Sequence, residues 1–379
     1  MIKPRKKNYN HDRGSRFKDP GSRIQDQGSR IQTVGIIGEG KMGTSIFYSL
    51  FTRPYSLRWI ISEEADLKQL TNGFEKKIQR ALKNGIISQN EFNEILYKTV
   101  ISSDIKDTSD CDLVIEAIPE ELTLKRKVFK LLDNTVKPSC ILATNSSSIN
   151  PSRLLPGTNR ESFIIGIHYF YPVQLKEIVE LISTRKTNPE VLTNVEHFLI
   201  NNNKRILYLN ESNSFILNKL LLNIQNESYK IVEQQKATEE QIDNLVKEHL
   251  FPVGIFDFMD SVGIDTMLVS IKNYISNYPN QDNYSALTGK LRSMADKGKL
   301  GVKSGEGFYD YHSGRKVFVH SDPGVAGSMN QESAREIAEF LKFTYLTTAK
   351  RFTMQSGCTI EEMNLAIREY LGLTKGPFE

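Results

Sequence analysis

The sequence predicts a doubly wound α/β domain on a parallel sheet, followed by an all-α domain with a partial internal repeat. Three observations carry this fold class. Residues 33–170 alternate β-rich apolar runs with helical or turn segments, the order that builds a parallel sheet. The stretch TVGIIGEGKMGTSIFYSL (33–50) passes from a short β-branched strand through glycines into a helix with apolar residues at 46, 47 and 50. From Phe215 onward the apolar positions Leu217, Leu220, Leu221 and Ile224 recur at i, i+3, i+4 and i+7, the period of a helix with one buried face.

The elements follow in order. Residues 1–32 hold a seven-residue repeat, GSRFKDP, GSRIQDQ, GSRIQ, with one apolar residue per unit, which cannot make a packed seam and is expected to be a disordered basic tail. Its three aspartates argue against a transit peptide, and it lacks the apolar core of a signal peptide. The α/β domain is expected over 33–211. It includes LRWII (57–61) as a second strand and a polar helical stretch over 66–98 broken near Gly85. CDLVIEAI (111–118), SCILATN (139–145) and FIIGIHYF (163–170) are three further β-rich runs. A helical domain is expected over 212–318. A partial second helical module is expected over 319–379, because ATEEQIDNLVKEHLFPVGIFDF (237–258) resembles CTIEEMNLAIREYLGLTKGPFE (358–379). An offset of that length is too long for a solenoid.

Composition narrows the function classes. A charged fraction of 25% and a hydrophobic fraction of 39% are ordinary for a globular protein, and no apolar run reaches the length that spans a bilayer. Cys111, Cys140 and Cys358 form no C-x-x-C pair, so neither a disulfide framework nor a zinc site is expected and a cytoplasmic location fits. The first 32 residues carry nine Lys/Arg against three Asp, while the whole chain is only +4, so residues 33–379 are close to −2. Nothing in that part calls for nucleic acid or a membrane surface.

Gly38, Gly40 and Gly43 form G-x-G-x-x-G between a strand and a helix. Glycine there permits a tight turn, close approach of a pyrophosphate, and close helix packing, while the helix N-terminus faces the phosphates. This is the fingerprint of a Rossmann-type dinucleotide site. Glu39 places a carboxylate in the loop, expected to point to solvent with Lys41 offsetting its field. The acidic residue expected at the end of the second strand is not cleanly placed: Ser62 stands there, and Glu63 reaches the adenosine ribose with a one-residue shift. No arginine follows for a 2′-phosphate, so NAD is expected over NADP.

Seven collinear stretches resemble the L-3-hydroxyacyl-CoA dehydrogenase family: VGIIGEGKMG (34–43), DLVIEAIPEELTLKRKVF (112–129), ATNSSSI (143–149), GIHYFYPVQLKEIVELI (166–182), FILNKLL (215–221), FPVGIFDFMDSVGIDT (251–266) and KLGVKSGEGFYDY (299–311). The resemblance covers roughly residues 33–312. It implies an oxidoreductase that interconverts L-3-hydroxyacyl-CoA and 3-oxoacyl-CoA with NAD. By it, His168 falls on the catalytic histidine, Glu180 on its carboxylate partner, Ser147 on the active-site serine and Asn218 on the active-site asparagine. Glu116 falls where a strand meets the cofactor cleft, and Lys41, Met42 and Asn145 join the glycines as cofactor-binding candidates.

The chemistry needs these residue types. Oxidising a secondary alcohol requires a base for the hydroxyl proton as hydride leaves carbon, and imidazole titrates near working pH. A carboxylate on the second ring nitrogen fixes the tautomer and stabilises the imidazolium. Ser147 and Asn218 would hydrogen-bond the reacting oxygen.

Each residue also has a plainer reading. His168 is then a satisfied core histidine, Ser147 a helix cap near Pro151, Glu180 an exposed strand charge, and Asn218 a polar residue beside a leucine stripe. The chain departs from the family at Tyr171, where asparagine is common, and at Asn213 and Ser214, where Pro-Gly is common. Two other functions therefore stay open: an NAD-dependent dehydrogenase of a non-CoA hydroxy acid, and a catalytically weakened binding or structural paralogue. For an acyl-CoA substrate, Lys68, Lys76, Lys77 and Arg80 are candidates for the adenosine diphosphate end. The family's helical domain commonly makes a homodimer; the second module here would cover that face, so a monomer or a differently arranged homodimer is expected.

Overall fold

The structure, a computed structural model, describes residues 30–276, 280–317 and 329–379. The basic tail lies outside the described residues as far as residue 29.

Strand β1 (Thr33–Ile37) is almost wholly buried, as a central strand of a covered sheet must be. The glycine loop leads into α1 (Lys41–Leu50), which buries Ile46, Phe47 and Leu50 on the sheet. Strand β2 (Ser56–Ile60) is followed by a helical pair, α2 (Leu67–Lys83) and α3 (Gln89–Lys98), with the expected break near Gly85 between them. The Asp66 side chain caps α2, and a Ser88/Glu91 capping box starts α3. Then come β3 (Thr99–Ser102), β4 (Leu113–Glu116), α4 (Leu122–Thr135), β5 (Ile141–Thr144), β6 (Ile164–Tyr169), β7 (Ile178–Ser183), α5 (Pro189–Asn201) and β8 (Arg205–Asn210).

These eight strands form one sheet in the order β3-β2-β1-β4-β5-β6-β7-β8. The first six run parallel, as a doubly wound domain requires. Strand β7 turns back antiparallel to β6, and β8 runs parallel to β7. The reason is the connection: residues 170–177 are too few for a crossover helix, so the chain can only fold back as a hairpin. The edge strands β3 and β8 are not singled out by pattern. Strand β3 is four residues long and only half-buried, which leaves no clear alternation.

Beyond the sheet the described residues are mainly helical, α6 (Ile216–Glu233), α7 (Glu239–His249), α8 (Ile255–Val262), α9 (Ile264–Ile275), α10 (Ser285–Asp296), α11 (Gln331–Ser356) and α12 (Ile360–Leu371), with one short antiparallel hairpin, Asp310–His312 against Arg315–Val317. The segment expected to form a second module does not carry a core of its own. Leu341, Tyr345, Ala349, Met363 and Ile367 from α11 and α12 are buried in the same cluster as Leu220, Ile224, Met259 and Leu291. The paired stretches 237–258 and 358–379 nonetheless share local devices. Thr238 with Gln241 and Thr359 with Glu362 each close a capping box. In the first stretch Asp243 accepts from the Phe256 and Asp257 N–H groups; in the second the Asn364 side chain accepts from Phe378 N–H.

Candidate active site

The β6–β7 hairpin pairs His168 directly opposite Glu180. Facing residues in an antiparallel pair point to the same side, so a twelve-residue separation becomes contact. His168 Nδ1 lies 2.7 Å from Glu180 Oε2; His168 is 5% exposed and Glu180 fully buried. The exposed-charge reading of Glu180 is therefore incorrect. Its other oxygen accepts from Leu217 N–H at 3.3 Å, in the first turn of α6, so the helix N-terminus favours the carboxylate charge. Phe215, the residue before that helix, sits in the left-handed region with φ 57°, a conformation that strains a non-glycine residue. Its ring and that of Phe170 pack on the His168 imidazole, with centroids 5.8 and 4.5 Å away.

Lys219, one turn into α6, is also buried. Burial pushes its ammonium down to about 8, against the pull of the nearby Glu180 charge. Below about 8 the cost of burying the charge is fully present; as pH rises towards the unfolded lysine value it disappears. We expect Lys219→Met to be more stable than the wild type at pH 7 by roughly 1–3 kcal/mol. The difference should shrink between pH 8 and 10, measured by urea unfolding at each pH. A difference independent of pH would show that Lys219 is charged and solvated throughout.

The three serines divide their work. Ser146 Oγ accepts from Ile149 N–H and, with Ser148 Oγ, donates to Glu120 Oε1. The backbone N–H groups of Ser147 and Ser148 donate to the same oxygen. Ser146 and Ser148 are buried, and Ser147 alone keeps an accessible side chain. The short helix at Pro151–Arg153 has Asn150 at its cap position, so Ser147 is not a helix cap. Its hydroxyl instead lies near the Tyr274 hydroxyl, whose deprotonated form it favours against the larger effect of burial. Tyr274 in turn accepts from Asn218 Nδ2 at 3.0 Å, and Asn218 Oδ1 accepts from Tyr370 at 2.6 Å. Ser147 and Asn218 thus share Tyr274 as a neighbour, which the sequence did not reveal.

Glu116 is placed differently from the expectation. It has no exposed surface, and its oxygens accept from Ile118 N–H at 2.8 Å, Lys125 Nζ at 2.5 Å and Thr144 Oγ1 at 2.7 Å. Fully buried and holding three donors inside the protein, it braces the ends of β4 and β5 and presents no exposed oxygen to a cofactor. The carboxylate that gathers the three serines is Glu120, whose side chain is 17% exposed and which sequence reasoning did not single out. Burial alone would raise its pKa, but Lys125, whose Nζ is 3.4 Å away, and the serine hydrogen bonds outweigh it and hold it below the usual range. Two adjacent glutamates after Pro119 give no spacing signal that separates them.

At the cofactor loop, Gly43 has no room for a side chain, since a Cβ would meet the Gly38 carbonyl oxygen at 2.0 Å. A Cβ on Gly40 would meet nothing within 4 Å, so the loop has an open face there. Helix α1 has no side-chain cap and no acid in its first turn, which leaves its N-terminal N–H donors free for phosphate. Lys41 is exposed and Met42 half-buried at this end, and Asn145 Oδ1 accepts from Tyr169 N–H at the tip of β5. These residues fit a dinucleotide.

Glu39 does not point to bulk solvent: its carboxylate crosses to the end of β2 and accepts from Ser62 N–H at 3.1 Å and Ser62 Oγ at 2.7 Å. Glu63 is exposed one residue further on. Tyr171 is 55% exposed, so its phenol does not close over His168. Ser214 is buried and donates to Asn150 Oδ1. Of the α2 cations, Lys68 and Lys76 line a groove with Tyr48 and Asp66, while Lys77 stacks on the Tyr48 ring. Among the described residues no helix is long and apolar enough to cross a membrane, and no group of three or more His, Cys, Asp or Glu could hold a metal.

A glycine loop at the C-terminal end of a central parallel strand, and a buried histidine–carboxylate pair where that sheet meets a helical domain, define an NAD-dependent oxidoreductase of the Rossmann class. Comparison with known proteins narrows the class. Residues 33–212 match the NAD binding domain of 3-hydroxyacyl-CoA dehydrogenase and residues 215–311 its C-terminal domain. The probable 3-hydroxybutyryl-CoA dehydrogenase of Deinococcus radiodurans is 32% identical over 73% of this chain and 99% of its own length. Among solved structures, Mycobacterium tuberculosis FadB2 has 30% identity, covers 74% of this chain and 99% of its own, and superposes with a TM-score of 0.66. The 3-hydroxybutyryl-CoA dehydrogenase of Escherichia coli K12, 19% identical, shares the fold over 92% of this chain and 90% of its own, with a TM-score of 0.71. The chain belongs to the 3-hydroxyacyl-CoA dehydrogenase family.

Proposed function

We propose that this protein interconverts an L-3-hydroxyacyl-CoA and the corresponding 3-oxoacyl-CoA, with His168 as general base and acid. The observation that supports it most is the buried 2.7 Å contact between His168 Nδ1 and Glu180. Glu180 accepts a hydrogen bond from Nδ1–H, which keeps the proton on Nδ1 and leaves Nε2 with a free lone pair on the cleft side. When bound, NAD supplies the hydride acceptor. His168 takes the hydroxyl proton in oxidation and returns it to the developing alkoxide in reduction. Ser147 and Asn218, both partly exposed, donate to that oxygen while its charge changes. Oxidation of NADH by acetoacetyl-CoA tests the reading, and turnover no faster than a protein-free control sinks it.

For the cofactor, Gly38, Gly40, Lys41, Met42 and Gly43 line the pyrophosphate site, with Asn145 at the strand tips. Glu39 takes the ribose role expected of Glu63, because Ser62 holds its carboxylate at the end of β2, where a dinucleotide domain needs an acid. A carboxylate there accepts from the ribose hydroxyls and repels a 2′-phosphate. Glu39→Gln is expected to weaken NADH binding about tenfold and to narrow the preference over NADPH, by fluorescence titration. A larger loss in Glu63→Gln than in Glu39→Gln would return the role to Glu63.

Lys68 and Lys76, which line the α2 groove, are the cations proposed to meet the phosphates of CoA. Helix α11 lies along α6 within the chain, which supports a monomer or a dimer built on another face.

A further inference from the structure

Helix α12 lies beyond residue 311, where the match to the family's C-terminal domain ends. It is nonetheless docked on the α/β domain close to the His168–Glu180 pair. Lys176 Nζ donates to the Glu369 and Tyr370 carbonyls at 2.7 and 3.2 Å, satisfying two acceptors that a helix end leaves open. Glu369 pairs with Arg205 of β8 at 3.5 Å. The Tyr370 ring packs on Phe170, centroids 4.7 Å apart, and Phe170 packs on His168. From this position the Tyr370 hydroxyl donates to Asn218 Oδ1.

We infer that Tyr370 is a positioning residue of the active site, holding the Asn218 amide in the orientation from which its free N–H meets the substrate oxygen. A primary amide has two N–H donors and one carbonyl acceptor. In Asn218 the oxygen is engaged by Tyr370 and one N–H by Tyr274. One N–H remains, and with Tyr370 and Tyr274 fixing the amide plane it has one direction to point. Without the Tyr370 hydroxyl the amide loses its anchor at Oδ1 and can turn its oxygen towards the reacting oxygen, where it would repel developing negative charge. The C-terminal helix therefore completes the site rather than decorating it. The inference rests on the proposed reaction and on Asn218 acting in it.

The test compares wild type, Tyr370→Phe, Asn218→Ala and the double variant. In NADH-dependent reduction of acetoacetyl-CoA, Tyr370→Phe should lower kcat about five- to tenfold, the size of one hydrogen bond made mainly in the transition state. KM and the dissociation constant of NADH should stay within twofold. In the Asn218→Ala background the same substitution should cost nothing further. Wild-type kcat in Tyr370→Phe, or an equal loss in both backgrounds, overturns the inference.

A second readout does not need turnover. With 15N-labelled asparagine, the Asn218 side-chain amide, assigned by its loss in Asn218→Ala, should exchange its protons faster in Tyr370→Phe. Unchanged exchange overturns the inference. A wild type that binds NADH and shows this difference, yet leaves acetoacetyl-CoA unreduced, overturns the proposed reaction and not the anchoring of Asn218.

Discussion

His168→Gln is expected to fold and to bind NADH as the wild type does, while turnover with acetoacetyl-CoA falls by on the order of 10²–10⁴. Glutamine approximates the volume of imidazole and can still donate to Glu180, so the buried carboxylate keeps a partner and the hairpin keeps its packing. It cannot exchange a proton at neutral pH. Hydride transfer then leaves the hydroxyl proton with no acceptor, or in reverse the alkoxide with no donor. The substitution is some distance in sequence from the glycine loop, so NADH fluorescence serves as the control for folding and cofactor binding. Turnover within threefold of the wild type, with binding intact, removes His168 from the chemistry.

Glu180→Gln is expected to cost on the order of 10³–10⁴ in turnover, although it is nearly isosteric. The neutral amide can donate to Nδ1 as well as accept from it, so the tautomer with the proton on Nε2 becomes available and the base points the wrong way. The amide also carries no charge to stabilise imidazolium. Two groups feel the same loss: Leu217 N–H at the start of α6, and buried Lys219, for which Glu180 is a nearby opposite charge. A modest drop in stability should therefore accompany the kinetic loss, and a fall in melting temperature with turnover unchanged would assign Glu180 a structural role only. The kcat ratio between Glu180→Gln and wild type at pH 7 is the measurement, with circular dichroism confirming the fold.

Local pattern was enough for the glycine loop, because the strand, the glycines and the helix that use it are contiguous. It was also enough for the helical period after Phe215 and for the break near Gly85. It was not enough to choose between Glu116 and Glu120. Both sit near the end of β4 and both meet Lys125 from α4, and only the folded structure shows that Glu116 is fully buried while Glu120 keeps 17% of its side chain exposed. Counting from the strand assigns the ribose carboxylate to Glu63; the proposal of Glu39 rests instead on its reach across the loop to Ser62 at the same strand end, a contact between elements that strand counting does not register. Tyr171 drew attention as a departure in a motif, yet it is exposed; the aromatic residues against His168 are Phe170 and Phe215.

The sequence by itself determined the buried parallel strands β1, β2, β4, β5 and β6, the nucleotide-binding turn and the resemblance that singled out His168, Glu180, Ser147 and Asn218. Those follow from periodicity, glycine sterics and short motifs, all of which act over neighbouring residues. Only the tertiary structure decided that the hairpin register sets His168 against Glu180, that α6 aims its N-terminus at the same carboxylate, and that Tyr370, 152 residues beyond Asn218, closes a hydrogen bond on it. The physical reason is the same in each case. Hydrogen-bond partners are chosen by where folded elements bring donors and acceptors together, and separation along the chain carries almost no information about that distance.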